Sequence, residues 1–240
     1  MKDGTTTPAA DEQQQGPRKA GLGSKVMSEN QLKCSEERLW SLVAERAKVS
    51  PDVAATTLID RKIWDLFGET WAVMFTDLSG FSRQVQAFGI LHFLQVIYEH
   101  KIMLEPVIAK HDGILIKQEA DSLMLIFRRA SSALRCAIEM QHVLSAVNEE
   151  RSPETKVLLC VGIGYGPILR IGDQDVYGNQ VNAASKLGED TAKAEEILIT
   201  RAAMDAAGDV EGVSFAKIED RIPGSDENYR ITYPKLKIRS

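Results

Sequence analysis

The apolar positions of this chain change period several times, and each change marks an expected element. The first 30 residues are rich in Thr, Gln, Gly and Lys and almost free of large apolar side chains. Such a stretch cannot bury enough surface to offset its ordering entropy, so a disordered tail is expected over 1–30. Leu39, Trp40, Leu42, Val43 and Ala47 then recur at helical spacing and predict a helix over 31–48. Ser50 and Pro51 read as the N-cap and first residue of a second helix. That helix carries Val53, Leu58, Ile59, Ile63, Trp64 and Phe67 and stops at Gly68. The pair is expected to be a core-packing or dimer-packing lead-in over 31–69.

From Trp71 the run WAVMFTD is short, apolar and β-compatible, which predicts a buried strand. LSGFS turns the chain, and helical spacing resumes over 90–111. The runs ILIKQ and SLMLIF are separated only by Glu119, Ala120 and Asp121 and predict a hairpin. An amphipathic helix is expected over 130–148, then a strand over KVLLCVGIGYG. A second hairpin should join 168–171 to 175–177 around Gly172 and Asp173, followed by a helix from Asn179 and a strand over 197–200. Strands over 213–215 and 229–233 complete the chain. The order β-α-α-β-β-α-β with a hairpin-and-helix extension is an α+β, ferredoxin-like core, with helices on one face of an antiparallel sheet. It occupies 70–240.

Composition narrows the functions open to such a domain. The 240 residues are 44% hydrophobic and carry a net charge of -5, so a core can form and a broad basic face for nucleic acid is not expected. Phosphate groups would have to be held by local devices such as a cation or a helix N-terminus. Cys34, Cys136 and Cys160 are widely spaced and odd in number, which supports neither a zinc site nor a disulfide framework. With no run long enough to cross a bilayer and no signal-peptide core, a cytoplasmic protein with no membrane partner is expected.

Two carboxylates stand where chemistry could use them. Asp77 ends the first strand and Asp121 sits in the tight turn of the adjacent hairpin. Close carboxylates repel, and a Mg²⁺ or Mn²⁺ ion with room for phosphate oxygens relieves that repulsion. Each also has an ordinary explanation, Asp77 as a helix cap and Asp121 as a turn former. Ser79, Gly80, Phe81 and Ser82 form a small-residue turn into a helix, where backbone N–H groups can meet an anion. Asn182 and Lys186 are four apart on the expected helix from Asn179, able to hold a ribose or phosphate together, or simply to be solvated. His92, His100, His111 and His142 lack ligand spacing, and Trp40, Trp64 and Tyr98 read as core.

Taken together, FTDLSGFS, KQEAD followed by SLMLIF, and DVYGNQVNAASK resemble in order and spacing the motifs of class III adenylate/guanylate cyclases. The resemblance covers 71–200 and implies that 70–240 is a nucleotide cyclase catalytic domain. It implies that Asp77 and Asp121 hold two divalent cations, Mg²⁺ or Mn²⁺, and that Lys117 and Asp175 read the purine. Asn182 would orient the ribose, and Lys186 would stabilise phosphate charge where the family has an arginine. It further implies a head-to-tail homodimer, with Asp77 and Asp121 from one protomer and Lys117, Asp175, Asn182 and Lys186 from the other. A donor paired with an acceptor suits adenine, so ATP is the expected substrate and 3',5'-cyclic AMP the product.

Two positions depart from the family pattern. Lys186 is a point charge in place of a planar fork, which implies a slower reaction by ~10²-fold. Ala120 stands where glycine is usual, a penalty if the position needs positive φ. These departures keep open a catalytically degraded module that regulates or dimerises. The base choice leaves GTP or a pyrimidine triphosphate open. A diguanylate-cyclase-type enzyme shares the core, but its Gly-Gly-Asp/Glu-Glu-Phe turn is replaced here by Glu119-Ala120-Asp121-Ser122.

Overall fold

The computed structural model describes residues 34–234, so the expected tail over 1–30 lies outside the described residues. Helix α1 (Glu36–Val49) begins where the Ser35 side chain accepts a hydrogen bond from the Arg38 amide. Glu36 and Glu37 in its first turn and Arg46 and Lys48 in its last complement the helix dipole. Helix α2 (Val53–Phe67) is capped by Asp52, whose carboxylate accepts from the Ala54 and Ala55 amides at 2.9 and 3.1 Å. The expected Ser50–Pro51 cap is therefore wrong. Ser50 ends α1, and Pro51 lies ahead of Asp52, outside the second helix. An aspartate that meets two free amides out-competes the serine two residues earlier.

Leu39, Leu42, Ile59, Ile63 and Phe67 close a small core between these helices and Ile171 of the sheet. Trp40 and Trp64, expected in the core, are 51% and 45% exposed, and Tyr98 is 64% exposed. Each lies on a helix with more apolar positions than one contact face can cover, and only one arc meets the sheet.

Strand β1 (Gly68–Leu78) follows α2 without a loop. It starts three residues ahead of the expected Trp71 because Gly68, Glu69 and Thr70 pair with Leu169, Ile168 and Pro167. Helices α3 (Phe81–Phe88) and α4 (Ile90–Lys110) lead to β2 (Ile114–Glu119) and β3 (Ser122–Phe127), the expected hairpin. Helix α5 (Ala130–Asn148) has the expected bounds. Strand β4 (Leu159–Ile171) is one 13-residue strand that also supplies the first arm of the second hairpin, with β5 (Asp175–Tyr177) as the other arm. Then come α6 (Asn179–Ser185), a π-helical turn (Lys186–Thr191), β6 (Ile197–Thr200), α7 (Arg201–Ala207), β7 (Ser214–Ile218) and β8 (Asn228–Thr232).

The sheet runs β2-β3-β1-β4-β6-β8-β7, antiparallel except where β6 pairs parallel to β4. Alternation along β1 feeds two cores. Ala72, Met74 and Leu78 pack with α4, α5 and α7, whereas Trp71, Val73 and Phe75 pack with Val176, Val181 and Ala184. The second face is thus covered in part by β5 and α6, beyond the single helical layer expected. At the α2 end of β1, Trp71 lies under the guanidinium groups of Arg128 and Arg170, 3.8 and 4.9 Å from the ring centroid.

Helix α6 and the π-turn approach the sheet backbone to backbone. A Cβ at Gly162 would lie 2.2 Å from the Ala184 carbonyl oxygen and 2.3 Å from the Gly188 nitrogen. No rotamer relieves a clash with main chain. Gly162→Ala should therefore destabilise the protein by about 2–3 kcal/mol, read from the midpoint of urea unfolding.

Candidate active site

Asp77, the penultimate residue of β1, pairs with Cys160, and Thr76 beside it pairs with Leu123 of β3. This register brings the end of β1 to the β2–β3 turn, made of Ala120 and Asp121. The Ser122 hydroxyl donates to Asp77 Oδ1 at 3.3 Å, and the Leu78 backbone interacts with both carboxylates. The two expected carboxylates are thus together at one end of the sheet. Burial first, and the Asp121 charge second, push the Asp77 carboxyl up to about 6. Asp121, 8% exposed, is also raised, again by burial first.

A half-buried pair of carboxylates with its charge unrelieved is suited to a hard divalent cation. Among the described residues no group of three or more His, Cys, Asp or Glu side chains could hold a metal by itself. A cation here would complete its shell with water or phosphate oxygens, as Mg²⁺ and Mn²⁺ do.

Ala120 has φ 51, so the turn does require the left-handed region that alanine disfavours. Gly80, with φ 89, precedes α3, which has no side-chain cap. The Ser79 amide donates to the Leu158 carbonyl at 2.8 Å and is already used. The side chains of Phe81 and Ser82 lie outside the described residues.

Lys117 stands at a bulge in β2, and its Nζ lies 2.5 Å from Asp175 Oδ2 on β5. The other Asp175 oxygen accepts from the Val176 amide at 2.8 Å. The hydrogen bond to Asp175 raises the Lys117 pKa and keeps the amine charged. A donor and an acceptor 58 residues apart in sequence are therefore presented side by side.

Asn182 is exposed on α6, and Lys186 falls just past the end of that helix and opens the π-turn. Lys186 Nζ is held 2.5 Å from Asp190. The Lys186 amide still bonds back to the Asn182 carbonyl, so the four-residue helical spacing expected for the two residues holds, and the wider turn begins after it. Sequence reasoning missed Ser122, Glu189 and Asp190. Glu189 adds to the negative field on Asp77 and Asp121. Asp190 could have been found from its position four residues after Lys186.

With this geometry in place, the family is shown by direct comparison. The model for the adenylate and guanylate cyclase catalytic domain matches residues 67–226, and the chain belongs to that family. It is 28% identical over 116 residues to a Rhizobium meliloti (strain 1021) protein provisionally named adenylate cyclase 3, covering 48% of this chain and 20% of that protein. It is 25% identical over 173 residues to an adenylate cyclase of Anabaena cylindrica, covering 65% and 34% of the two chains. The crystal structure of the adenylyl cyclase CyaB from P. aeruginosa is similar in fold, with a TM-score of 0.60 at 19% identity, covering 72% of this chain and 98% of that one. The chain spans a fifth to a third of the length of these curated relatives. No helix among the described residues is long and apolar enough to cross a membrane.

Two measurements test this geometry. Ala120→Gly should stabilise the protein by about 1 kcal/mol in urea unfolding, since glycine adopts positive φ without a Cβ penalty. For Asp77, the folded pKa of about 6 exceeds the ordinary carboxylate value of 3.8. The folded state thus holds the proton longer, and metal-free protein loses stability as pH rises through that window. Asp77→Asn should remove this loss. In EDTA it should exceed wild type by on the order of 1 kcal/mol at pH 7.5, after allowance for solvent screening, with the gap closing toward pH 4.

Proposed function

We propose that this chain is an adenylate cyclase, converting ATP to 3',5'-cyclic AMP and pyrophosphate as a head-to-tail homodimer with two divalent cations, Mg²⁺ or Mn²⁺. The observation that carries the reading is the Lys117–Asp175 pair, with donor and acceptor 2.5 Å apart on a partly buried surface. Adenine offers an acceptor at N1 beside a donating amine, and this edge matches an ammonium next to a carboxylate. Guanine has the reverse polarity at the same atoms and would leave both protein groups mismatched.

Asp77 and Asp121 would hold the cations, and the Ser122 hydroxyl steadies Asp77. Bound cations supply Lewis acidity toward the ribose 3'-hydroxyl and the phosphates. The free amides at the start of α3, close in sequence to the end of β1, would suit the phosphate oxygens. From the partner protomer, Lys117 and Asp175 would fix the base, Asn182 the ribose, and Lys186 the charge on the phosphates as the 3'-oxygen attacks and pyrophosphate leaves. To do so Lys186 must exchange Asp190 for phosphate. Both groups are more than half exposed, so solvent screens the pair and it yields readily to a multiply charged ligand.

That same pair favours one other reading, a nucleotide-binding module that has lost turnover and acts by regulation or dimerisation. A lysine neutralised by its neighbour is a weaker phosphate clamp than a free arginine.

The test is a product assay on purified protein with equal ATP, GTP, CTP and UTP and Mn²⁺, cyclic products being identified by mass spectrometry. Cyclic AMP from wild type, lost in Asp77→Ala, is the expected result. Replacing both Lys117 and Asp175 should blur base choice while leaving Mn²⁺ binding intact. Cyclic GMP or a cyclic pyrimidine from wild type would overturn the roles given to Lys117 and Asp175. No product from a protein that still dimerises would favour the module, unless Lys186→Arg restores turnover.

A further inference from the structure

Lys117 and Asp175 meet although their strands are not neighbours in the sheet. Lys117 is on β2, at the sheet edge, and Asp175 is on β5, which lies off the main path and pairs with β4. Strands β3, β1 and β4 stand between them. The residues next to the pair, Ile116 and Val176, are both buried in the core cluster that contains Trp71. Beside that tryptophan, Glu69 Oε2 accepts from Trp71 Nε1 at 2.9 Å. The same oxygen lies 3.0 Å from Arg128 Nη2 and 3.9 Å from Arg170 Nη1, the two guanidinium groups that lie over the indole. Arg128 directly follows β3, which pairs with the strand of Lys117. Arg170 is on β4, opposite Val176.

The turn that delivers Asp175 stands away from the core. Gly172, Asp173 and Gln174 are exposed. Gly172 has φ 53, and a Cβ there would meet nothing within 4 Å, so packing does not mould this turn. The Gln174 amide closes it on the Ile171 carbonyl at 3.0 Å. Arg170 ties it to the sheet: Nε donates to the Gly172 carbonyl at 2.9 Å and Nη2 to Asp173 Oδ1 at 2.6 Å. The Arg170 side chain is 16% exposed and that of Asp173 79%, so a largely buried fork holds a turn that is in water. Two residues on, Asp175 opens β5 opposite Ile171. Its carboxylate is engaged at both oxygens, one by the Val176 amide at 2.8 Å and one by Lys117 Nζ at 2.5 Å. Movement of the turn is therefore passed on to the contact between acceptor and donor.

We infer that Arg170 is a positioning residue for base recognition, holding the 172–174 turn so that Asp175 stands at a fixed distance from Lys117. The inference rests on the reading of Lys117 and Asp175 as the base-reading pair. Arg170 acts through Asp175, with Trp71 and Glu69 as its footing.

Arg170→Lys keeps a positive charge beside Trp71 and Glu69 and removes the fork. It should raise the KM for ATP and lower the preference for ATP over GTP by about tenfold each, the scale of one hydrogen bond to a charged group. The kcat for ATP should change little. Asp173→Ala trims an exposed side chain without touching the core, and should move KM and preference the same way by a smaller factor. In an Asp175→Asn background, Arg170→Lys should add nothing to the rise in KM, because the residue it acts through is already altered. A lowered melting temperature with unaltered KM and base preference in both single variants would overturn the inference, since it would make Arg170 a residue of the fold alone. An equal effect of Arg170→Lys with and without Asp175→Asn would overturn it as well. Should Arg170→Lys fail to fold, the shift in Asp173→Ala supports the inference and its absence overturns it. Titration of ATP and GTP binding by calorimetry separates all this from the cyclase reading. If wild type makes no cyclic product yet binds ATP in preference to GTP, loss of that preference in the variants supports the inference and its retention overturns it. If wild type binds both bases equally, the reading of Lys117 and Asp175 fails first and the inference falls with it.

Discussion

At Gly162 and Gly188 two backbones touch with no side chain between them. The position a Cβ would take at Gly188 lies 2.8 Å from the Phe75 carbonyl oxygen, so the π-turn rests on β1 as well as β4. Everything carried by α6 and the π-turn takes its height above the sheet from this contact. Asn182, Lys186 and Glu189 are brought over the strand that ends in Asp77. The device is written in VGIGYG, where glycines two apart fall on one face of β4. Gly164 is used in the same way, with the Gln180 carbonyl oxygen 2.4 Å from where a Cβ would be. A single methyl on this face would lift the helix and with it half of the polar groups of the site.

The site separates charge that is satisfied from charge that is not. Lys117 has Asp175, and Lys186 has Asp190. Asp77 and Asp121 have a hydroxyl and backbone, and both are harder to ionise than ordinary carboxylates. An acidic chain with net charge -5 attracts polyphosphate poorly as a whole. On the proposed reading, a cation on the carboxylates would reverse the sign of the field locally and would tie nucleotide affinity to cation occupancy.

Much of this was legible in the sequence, and the exceptions have physical causes. Helix α5 was read with both ends, since its apolar residues keep one period from Ala130 to Asn148. The β2–β3 hairpin was legible because two apolar runs left only a tight turn between them. The pairing of Lys117 with Asp175 came from resemblance to a family, since no local pattern reports contact between residues 58 apart. What could not be read depends on tertiary competition. Ser50–Pro51 looked like a helix start, but Asp52 reached two amides. Trp40, Trp64 and Tyr98 have the polarity of core residues, yet the sheet has room for one arc of each helix. The π-turn has no compositional mark in KLGEDT, because it arises where α6 must set Gly188 down on the sheet.

Helix α2 ends at Phe67 and β1 begins at Gly68, whose amide still bonds back to the Trp64 carbonyl. A loop would absorb a change of length, but this joint has none to give. One residue inserted before Gly68 would turn the helix by about 100° against the strand, and two by about 200°. Helix α2 is therefore held in phase with the strand bearing Asp77, and among the described residues the turn at 50–52 is where slack remains to retune α1 against it.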